Sequence, residues 1–121
     1  MENKVFSQTI VVDASQTAER YGSGALAVFA TPALIGLMEN TAMKMIDLPD
    51  GSSSVGISIS TTHVKASPVG AEITCTAEIT QIDGRKYSFR IIAKDKSGDI
   101  IGEGDHQRVV VDIERFMSKI N

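Results

Sequence analysis

The segment that constrains the fold most is a helix that is apolar around most of its circumference. The segment 31-TPALIGLMENTAMKMI-46 begins with Thr31 and Pro32, which predicts a helix over 31–46 with Thr31 as its N-terminal cap. Apolar residues then occur on most sides of that helix: Leu34, Ile35, Leu37, Met38, Ala42, Met45 and Ile46. A surface helix needs only one apolar stripe, so we expect this helix to be enclosed by other elements.

Strand patterns precede and follow the helix. They cover residues 4–12, 55–65, 71–82, 86–96 and 99–111. Residues 13–30 are rich in small side chains and predict a loop, and residues 112–120 predict a short terminal helix. This order predicts an α+β fold in which an antiparallel five-stranded sheet wraps around one long helix.

Turn residues separate the last four predicted strands. They are Pro68 and Gly70, Asp83-Gly84, and Ser97-Gly98. We therefore expect consecutive strands to be antiparallel neighbours. An open sheet also has a long unpaired edge, and a second copy of the chain could cover it, so we expect a homodimer or a higher homo-oligomer that pairs through the sheet edge.

Length, charge and cysteine content narrow the classes of function. The 121 residues predict a single domain over 1–121, and a net charge of −3 without a cluster of basic and aromatic residues predicts no nucleic-acid partner. No apolar run is long enough to cross a bilayer, which predicts no membrane partner. Cys75 is the only cysteine, so the chain has no internal disulfide and is expected to be cytoplasmic. Because Cys75 alternates with Ile73 and Ala77, we expect it to lie in the core rather than to act as a nucleophile.

Three polar residues of the helix and the following strand are candidates for a catalytic site. His63 is in phase with the apolar residues of its predicted strand, which are Val55, Ile57 and Ile59. Thr31 and Glu39 would be about 12 Å apart along the helix, at roughly 1.5 Å per residue, so we expect His63 to bridge them. A carboxylate that orients an imidazole, an imidazole that moves protons and a nearby hydroxyl suit acyl transfer to water.

Four segments together resemble the hotdog-fold acyl-CoA thioesterases of the fluoroacetyl-CoA thioesterase type, over nearly the whole chain. They are VFATPALIGLMENTA, SSVGISISTTHVKASPVG, AEITQIDGRKYSFRIIAKD and GEGDHQRVVV. The resemblance implies a catalytic set of Thr31, Glu39 and His63, acting on an acyl-CoA substrate without a cofactor or a metal. It also implies that the backbone of Gly56 approaches the acyl-CoA and that Arg108, one position out of the family spacing, holds the coenzyme.

The segment ahead of the helix departs from the family pattern. Family members that select fluoroacetyl groups have bulky aromatic residues there as a lid, whereas 22-GSGALAVFA-30 contains only Phe29, with Tyr21 further back. The resemblance therefore implies hydrolysis of a small acyl-CoA thioester without identifying the acyl group.

Alternatives remain for the residues and for the function. Thr31 could serve only as a cap, Glu39 and Arg108 could be solvated charges, and His63 could be a structural histidine at a strand end. His106 lacks the spacing to a second ligand that a metal site requires. The chain could instead be a non-catalytic hotdog module that binds an acyl or aromatic ligand, or an acyl-thioester hydratase, although the Asp and His pair of the hydratases is missing at its usual loop.

Overall fold

Residues 4–121, which the computed structural model describes, form five strands and one long helix in the predicted order. The bounds are β1 (Val5–Val11), a 3-10 turn (Ala14–Gln16), α1 (Ala18–Tyr21), α2 (Thr31–Met43), β2 (Ser52–Thr61), β3 (Glu72–Asp83), β4 (Lys86–Asp95), β5 (Ile100–Asp112) and α3 (Ile113–Ile120). The predicted loop over 13–30 thus contains two short helical turns. None of the helices described is long and apolar enough to span a bilayer.

The strands form one antiparallel sheet in the order β1-β3-β4-β5-β2. The prediction that β2 and β3 are neighbours was wrong, because β2 lies at the far edge beside β5 and β3 pairs with β1. Residues 62–71 are too long a connection for a hairpin and instead cross the sheet. The backbone N–H of Phe29 donates to the carbonyl of Ser67, which attaches this crossing segment to the chain that enters α2.

Helix α2 packs against the sheet with one of its faces. The opposite face, with Gly36, Asn40 and Met43, is exposed in the single chain, so the expected enclosure on all sides is not seen there. The buried residues of α2 are Ala33, Leu34, Leu37, Met38, Thr41 and Ala42. They pack against alternate residues of β3 and β4, which are Ile73, Cys75, Ala77, Phe89, Ile91 and Ala93. Cys75 is therefore a core residue, as predicted.

Both ends of α2 differ from the prediction. The N-terminal cap is Ala30, whose methyl group cannot accept a hydrogen bond, and Thr31 is the first helical residue with Pro32 after it. The predicted cap role of Thr31 was wrong, so its hydroxyl is available for another partner. The helix ends at Met43 instead of Ile46, because the N–H groups of Met45 and Ile46 bond three residues back and tighten the last turn.

A β-bulge changes the phase of edge strand β2. The register with β5 shifts between Gly56 and Ser58, so Ile57 is an extra residue and is 51% exposed, whereas Ile59 packs against the core. The prediction that Ile57 and His63 face the same way was therefore wrong. His63 lies beyond the end of β2, in a segment that the N–H of Val64 ties to the carbonyl of Ile101 at 2.7 Å.

Candidate active site

The first turn of α2 meets the segment that follows β2. The Oγ1 atom of Thr31 lies 2.8 Å from Nδ1 of His63. The ring of Phe29 stands edge-on to the imidazole, with the ring centroids 6.3 Å apart. Burial lowers the pKa of His63, so the imidazole is neutral near neutral pH. Its Nε2 atom is buried and has no hydrogen-bond partner among residues 4–121.

A cavity of about 250 Å³ opens beside this pair. Apolar side chains form half of its wall: Ala18, Val28, Phe29 and Ala66. Lys65 also lines it, but the Nζ atom of Lys65 lies 2.6 Å from a carboxylate oxygen of both Asp95 and Asp99. These two carboxylates more than offset the single ammonium charge, and hydrogen bonding to Asp95 raises the pKa of Lys65. The cavity therefore suits a small uncharged group.

Glu39 lies apart from this pair, next to Gly56. A Cβ atom on residue 56 would lie 2.9 Å from Oε2 of Glu39, 3.2 Å from Cε1 of His106 and 3.6 Å from Nη1 of Arg108. Side chains of α2 and β5 thus converge on a space that exists because residue 56 has no side chain. Within residues 4–121, Glu39 makes no hydrogen bond to His63, so one chain does not contain the predicted bridge from Thr31 through His63 to Glu39.

Arg108 is a buried cation held by neutral acceptors. Its Nε donates to Oγ of Ser54 and its Nη2 to the carbonyl of Ser54, both at 2.9 Å. Its Nη1 donates to Nε2 of His106 at 3.3 Å. Burial lowers the pKa of Arg108 and the charge of Glu39 raises it, and the guanidinium stays protonated. The side chain is 6% exposed.

His106 is the member of this group that the sequence analysis missed. It is 1% exposed, its ring stacks on Phe89, and its Nδ1 lies 2.8 Å from the carbonyl of Ser58. The sequence did contain a signal for this grouping. His106 and Arg108 are two residues apart, and residues at that spacing on a strand lie on the same face. In the described part of the chain, no group of three or more His, Cys, Asp or Glu residues could hold a metal ion.

Solved structures share this architecture. A hot-dog-like protein from Thermanaerovibrio acidaminovorans superposes with a TM-score of 0.87 at 22% identity, over 98% of this chain and 88% of that one. A variant of the fluoroacetyl-CoA-specific thioesterase FlK superposes with a TM-score of 0.92 at 35% identity, over 99% of this chain and 95% of that one. The chain therefore has the hotdog fold, as the resemblance implied, with the α+β arrangement predicted from its pattern.

Relatives in sequence identify the family of hotdog proteins to which the chain belongs. The family model described as fluoroacetyl-CoA-specific thioesterase matches residues 12–114. The fluoroacetyl-CoA thioesterase of Streptantibioticus cattleyicolor is 40% identical over 95 residues, which cover 77% of this chain and 68% of that protein. The chain belongs to the fluoroacetyl-CoA thioesterase family. It is an acyl-CoA thioesterase, which confirms the predicted class of enzyme.

Proposed function

We propose that this enzyme hydrolyses small, uncharged acyl-CoA thioesters with Thr31, Glu39 and His63 as its catalytic set. The observation that carries the proposal is the 2.8 Å contact between the Thr31 hydroxyl and Nδ1 of His63, beside a small cavity at the start of α2. A neutral imidazole can take a proton there. The free N–H groups of the first helical turn carry partial positive charge, which stabilises a developing oxyanion.

The chemistry follows from these contacts. An oxygen, either of water or of Thr31, attacks the thioester carbonyl carbon, and its proton passes to Nδ1 of His63. The tetrahedral intermediate then expels the coenzyme by breaking the C–S bond, and the imidazole returns the proton to the departing sulfur. If Thr31 attacks, a water molecule hydrolyses the acyl-threonine by the same route. Either way, one water is consumed and an acid and CoA are released.

The second ring nitrogen of His63 points to a homodimer. When Nδ1 accepts the proton of the Thr31 hydroxyl, Nε2 carries the hydrogen and is a buried donor without an acceptor in residues 4–121. A buried donor needs a partner, and a carboxylate would also stabilise the imidazolium that forms during the reaction. Glu39 of the same chain lies about 12 Å along the helix from Thr31. We propose that Glu39 of the partner subunit supplies the acceptor.

Edge strand β2 is the proposed dimer contact. Its residues Ser52–Thr61 include no charged side chain and no proline, so nothing in its sequence protects the edge from pairing. Two antiparallel β2 strands related by a twofold axis between residues 59 and 60 would place residue 63 of one opposite residue 56 of the other. Because Glu39 lies beside Gly56, this pairing brings it toward His63 of the partner subunit.

Matched substitutions on the two sheet edges test the dimer. Ile57 on β2 is 51% exposed and Val11 on β1 is 58% exposed, so lysine costs little packing at either position. We expect Ile57→Lys to sediment as a monomer and to lose hydrolysis, and Val11→Lys to keep both the dimer and its activity. An active Ile57→Lys monomer would contradict the shared site.

The side chains that line the cavity support a proposal for the acyl group of the substrate. Phe29 forms part of the wall beside His63, whereas Tyr21 and Leu26 are largely exposed and do not line the cavity, so neither of these two covers it as a lid would. We propose that the enzyme accepts acetyl, propionyl and isobutyryl thioesters without preferring fluoroacetyl-CoA. Succinyl-CoA should react poorly, because Lys65 is already paired with two carboxylates.

Release of the CoA thiol, measured with DTNB across this panel, tests the function. We expect Glu39→Gln and His63→Gln to fold as the parent does and to lose about 100-fold or more in kcat, the usual range for a missing acid-base group. Glu114→Gln on exposed α3 is the matched control and should be unaffected. Normal turnover by both site variants would refute the catalytic set, and tight acyl-CoA binding without thiol release would indicate a binding module.

A further inference from the structure

His106 is a buried titratable group to which the proposed reaction assigns no step. It lies on β5, opposite Ile59 of β2 and Phe89 of β4. The charged groups near it are Arg108 on its own strand and Glu39 on α2. Facing it from β4 is the uncharged ring of Phe89, and β2 contributes Gly56 and the carbonyl of Ser58. Both of these charged side chains, like His106 itself, lie next to Gly56; Glu39, His106 and Arg108 are the group around Gly56.

The two ring nitrogens of His106 have opposite roles. A carbonyl oxygen can only accept, so Nδ1 donates its hydrogen to Ser58 at 2.8 Å. An arginine can only donate, so the unprotonated Nε2 accepts from Nη1 of Arg108 at 3.3 Å. These contacts define one tautomer of the neutral ring. A proton on Nε2 would bring the N–H of the ring against the N–H of Arg108, so that neither donor has an acceptor. It would also place a second positive charge beside the guanidinium.

His106 accepts the hydrogen bond that fixes the remaining end of the Arg108 guanidinium. Ser54 accepts from Nε and Nη2, which leaves the Nη1 end of the guanidinium to be held by His106. The Nη1 atom and the carboxylate of Glu39 both approach the vacant Cβ position of Gly56. The direction of the Arg108 charge relative to Glu39 therefore depends on an acceptor at Nε2 of His106.

We propose that His106 is a positioning residue for the hydrolysis: its Nε2 holds Arg108 so that the guanidinium charge keeps the Glu39 carboxylate in place beside Gly56. This inference rests on the proposed function, because it acts through Glu39. His106 itself touches no reacting atom in this scheme. The feature that matters is a hydrogen-bond acceptor at one point, not the imidazole as such.

Two amide substitutions separate that acceptor from the rest of the ring. In His106→Gln the side-chain oxygen can reach the place of Nε2 and accept from Arg108, but the bond to Ser58 is lost. In His106→Asn the amide nitrogen can take the place of Nδ1 and donate to Ser58, but Arg108 loses its acceptor. We expect His106→Gln to keep kcat within about threefold and His106→Asn to lose about tenfold or more, with KM little changed in both, since small misplacement of a catalytic group lowers kcat steeply.

The pH profile of kcat provides a second readout. In the parent, protonation of His63 stops the reaction and protonation of His106 slows it, so the acid limb should depend on two protons. In His106→Gln it should involve only one, and a purely structural role would not change this number. An unchanged acid limb would contradict the proposal.

The outcomes also distinguish this inference from the function on which it rests. Normal turnover by Glu39→Gln refutes the proposed function whatever His106 does. If Glu39→Gln is inactive and the two His106 variants lose equal activity in proportion to their loss of stability, His106 only fills the core and this inference fails. Should either variant not fold, nitrogen NMR of the parent decides: hydrogen on Nδ1 of His106 supports the proposal, and hydrogen on Nε2 overturns it.

Discussion

Gly56→Ala tests whether the space beside Glu39 is needed for catalysis. The added methyl carbon would lie 2.9 Å from Oε2 of Glu39 and 3.2 Å from Cε1 of His106. To restore an ordinary contact of 3.4 Å, the carboxylate oxygen must move by about 0.5 Å. Since a misplacement of about 1 Å can cost roughly 100-fold in rate, half of that should lower kcat about tenfold, or about 1.4 kcal/mol of transition-state stabilisation.

The assay pairs thiol release with urea unfolding. Overpacking at Gly56 should cost about 1–3 kcal/mol, which leaves a domain of ordinary stability folded. Gly36→Ala is the matched control, because its methyl group would contact nothing within 4 Å and alanine is the better helix former by about 1 kcal/mol. A folded Gly56→Ala enzyme with the kcat of the parent would refute the reasoning, since Glu39 would then not need its observed position.

Three further outcomes are expected. Thr31→Ala should change the free energy of unfolding by less than about 0.5 kcal/mol, because Thr31 is not the helix cap. It should nevertheless lower kcat at least about tenfold, because the hydroxyl that contacts His63 is lost. Thermal unfolding measures the first effect and the DTNB assay the second. Burial lowers the pKa of His63 and of His106 from 6.5, so the unfolded chain binds protons before the folded chain does as the pH falls. The contribution of these two residues to the free energy of unfolding should therefore be complete above pH 6.5 and decline below it. Urea titrations on both sides of that pH measure the loss. Burial also raises the pKa of the Cys75 thiol, so native protein should not react with DTNB and urea should expose one thiol per chain.

Periodicity predicted the core because burial repeats along regular elements. The strict alternation around Cys75 identified the buried face of β3, and the apolar helix over 31–46 predicted packing against the sheet, although only one face of that helix is buried. The crossing of residues 62–71 was not predictable in the same way. Turn residues such as Pro68 mark where a strand ends, but they do not determine which edge the preceding strand joins. In the structure the crossing segment is attached through Ser67 and Pro68 to Phe29 and Val28, contacts that lie far apart in the sequence.

The bulge in β2 explains why the site was harder to predict than the core. One extra residue at Ile57 reverses which face of the strand each later residue occupies, and it leaves little trace in the sequence beyond the glycine before it. The alternation therefore predicted, wrongly, that His63 and Ile57 share a face. The contact of His63 with Thr31 depends on the end of β2, where tertiary hydrogen bonds replace the strand pattern.

Under the proposed mechanism, the buried Arg108 beside Gly56 is explained by the effect of its charge on Glu39 rather than by a gain in stability. Its guanidinium loses water and receives neutral acceptors from Ser54 and His106 in exchange. Burying a charge in this way contributes little net stability, and well-packed apolar residues of similar volume often serve a core equally well or better. A neutral side chain at 108 would fill the same space, but it would remove the positive charge that balances the carboxylate of Glu39. A buried cation beside the carboxylate proposed to be catalytic is therefore the arrangement expected when the charge, and not the packing, is what the site requires.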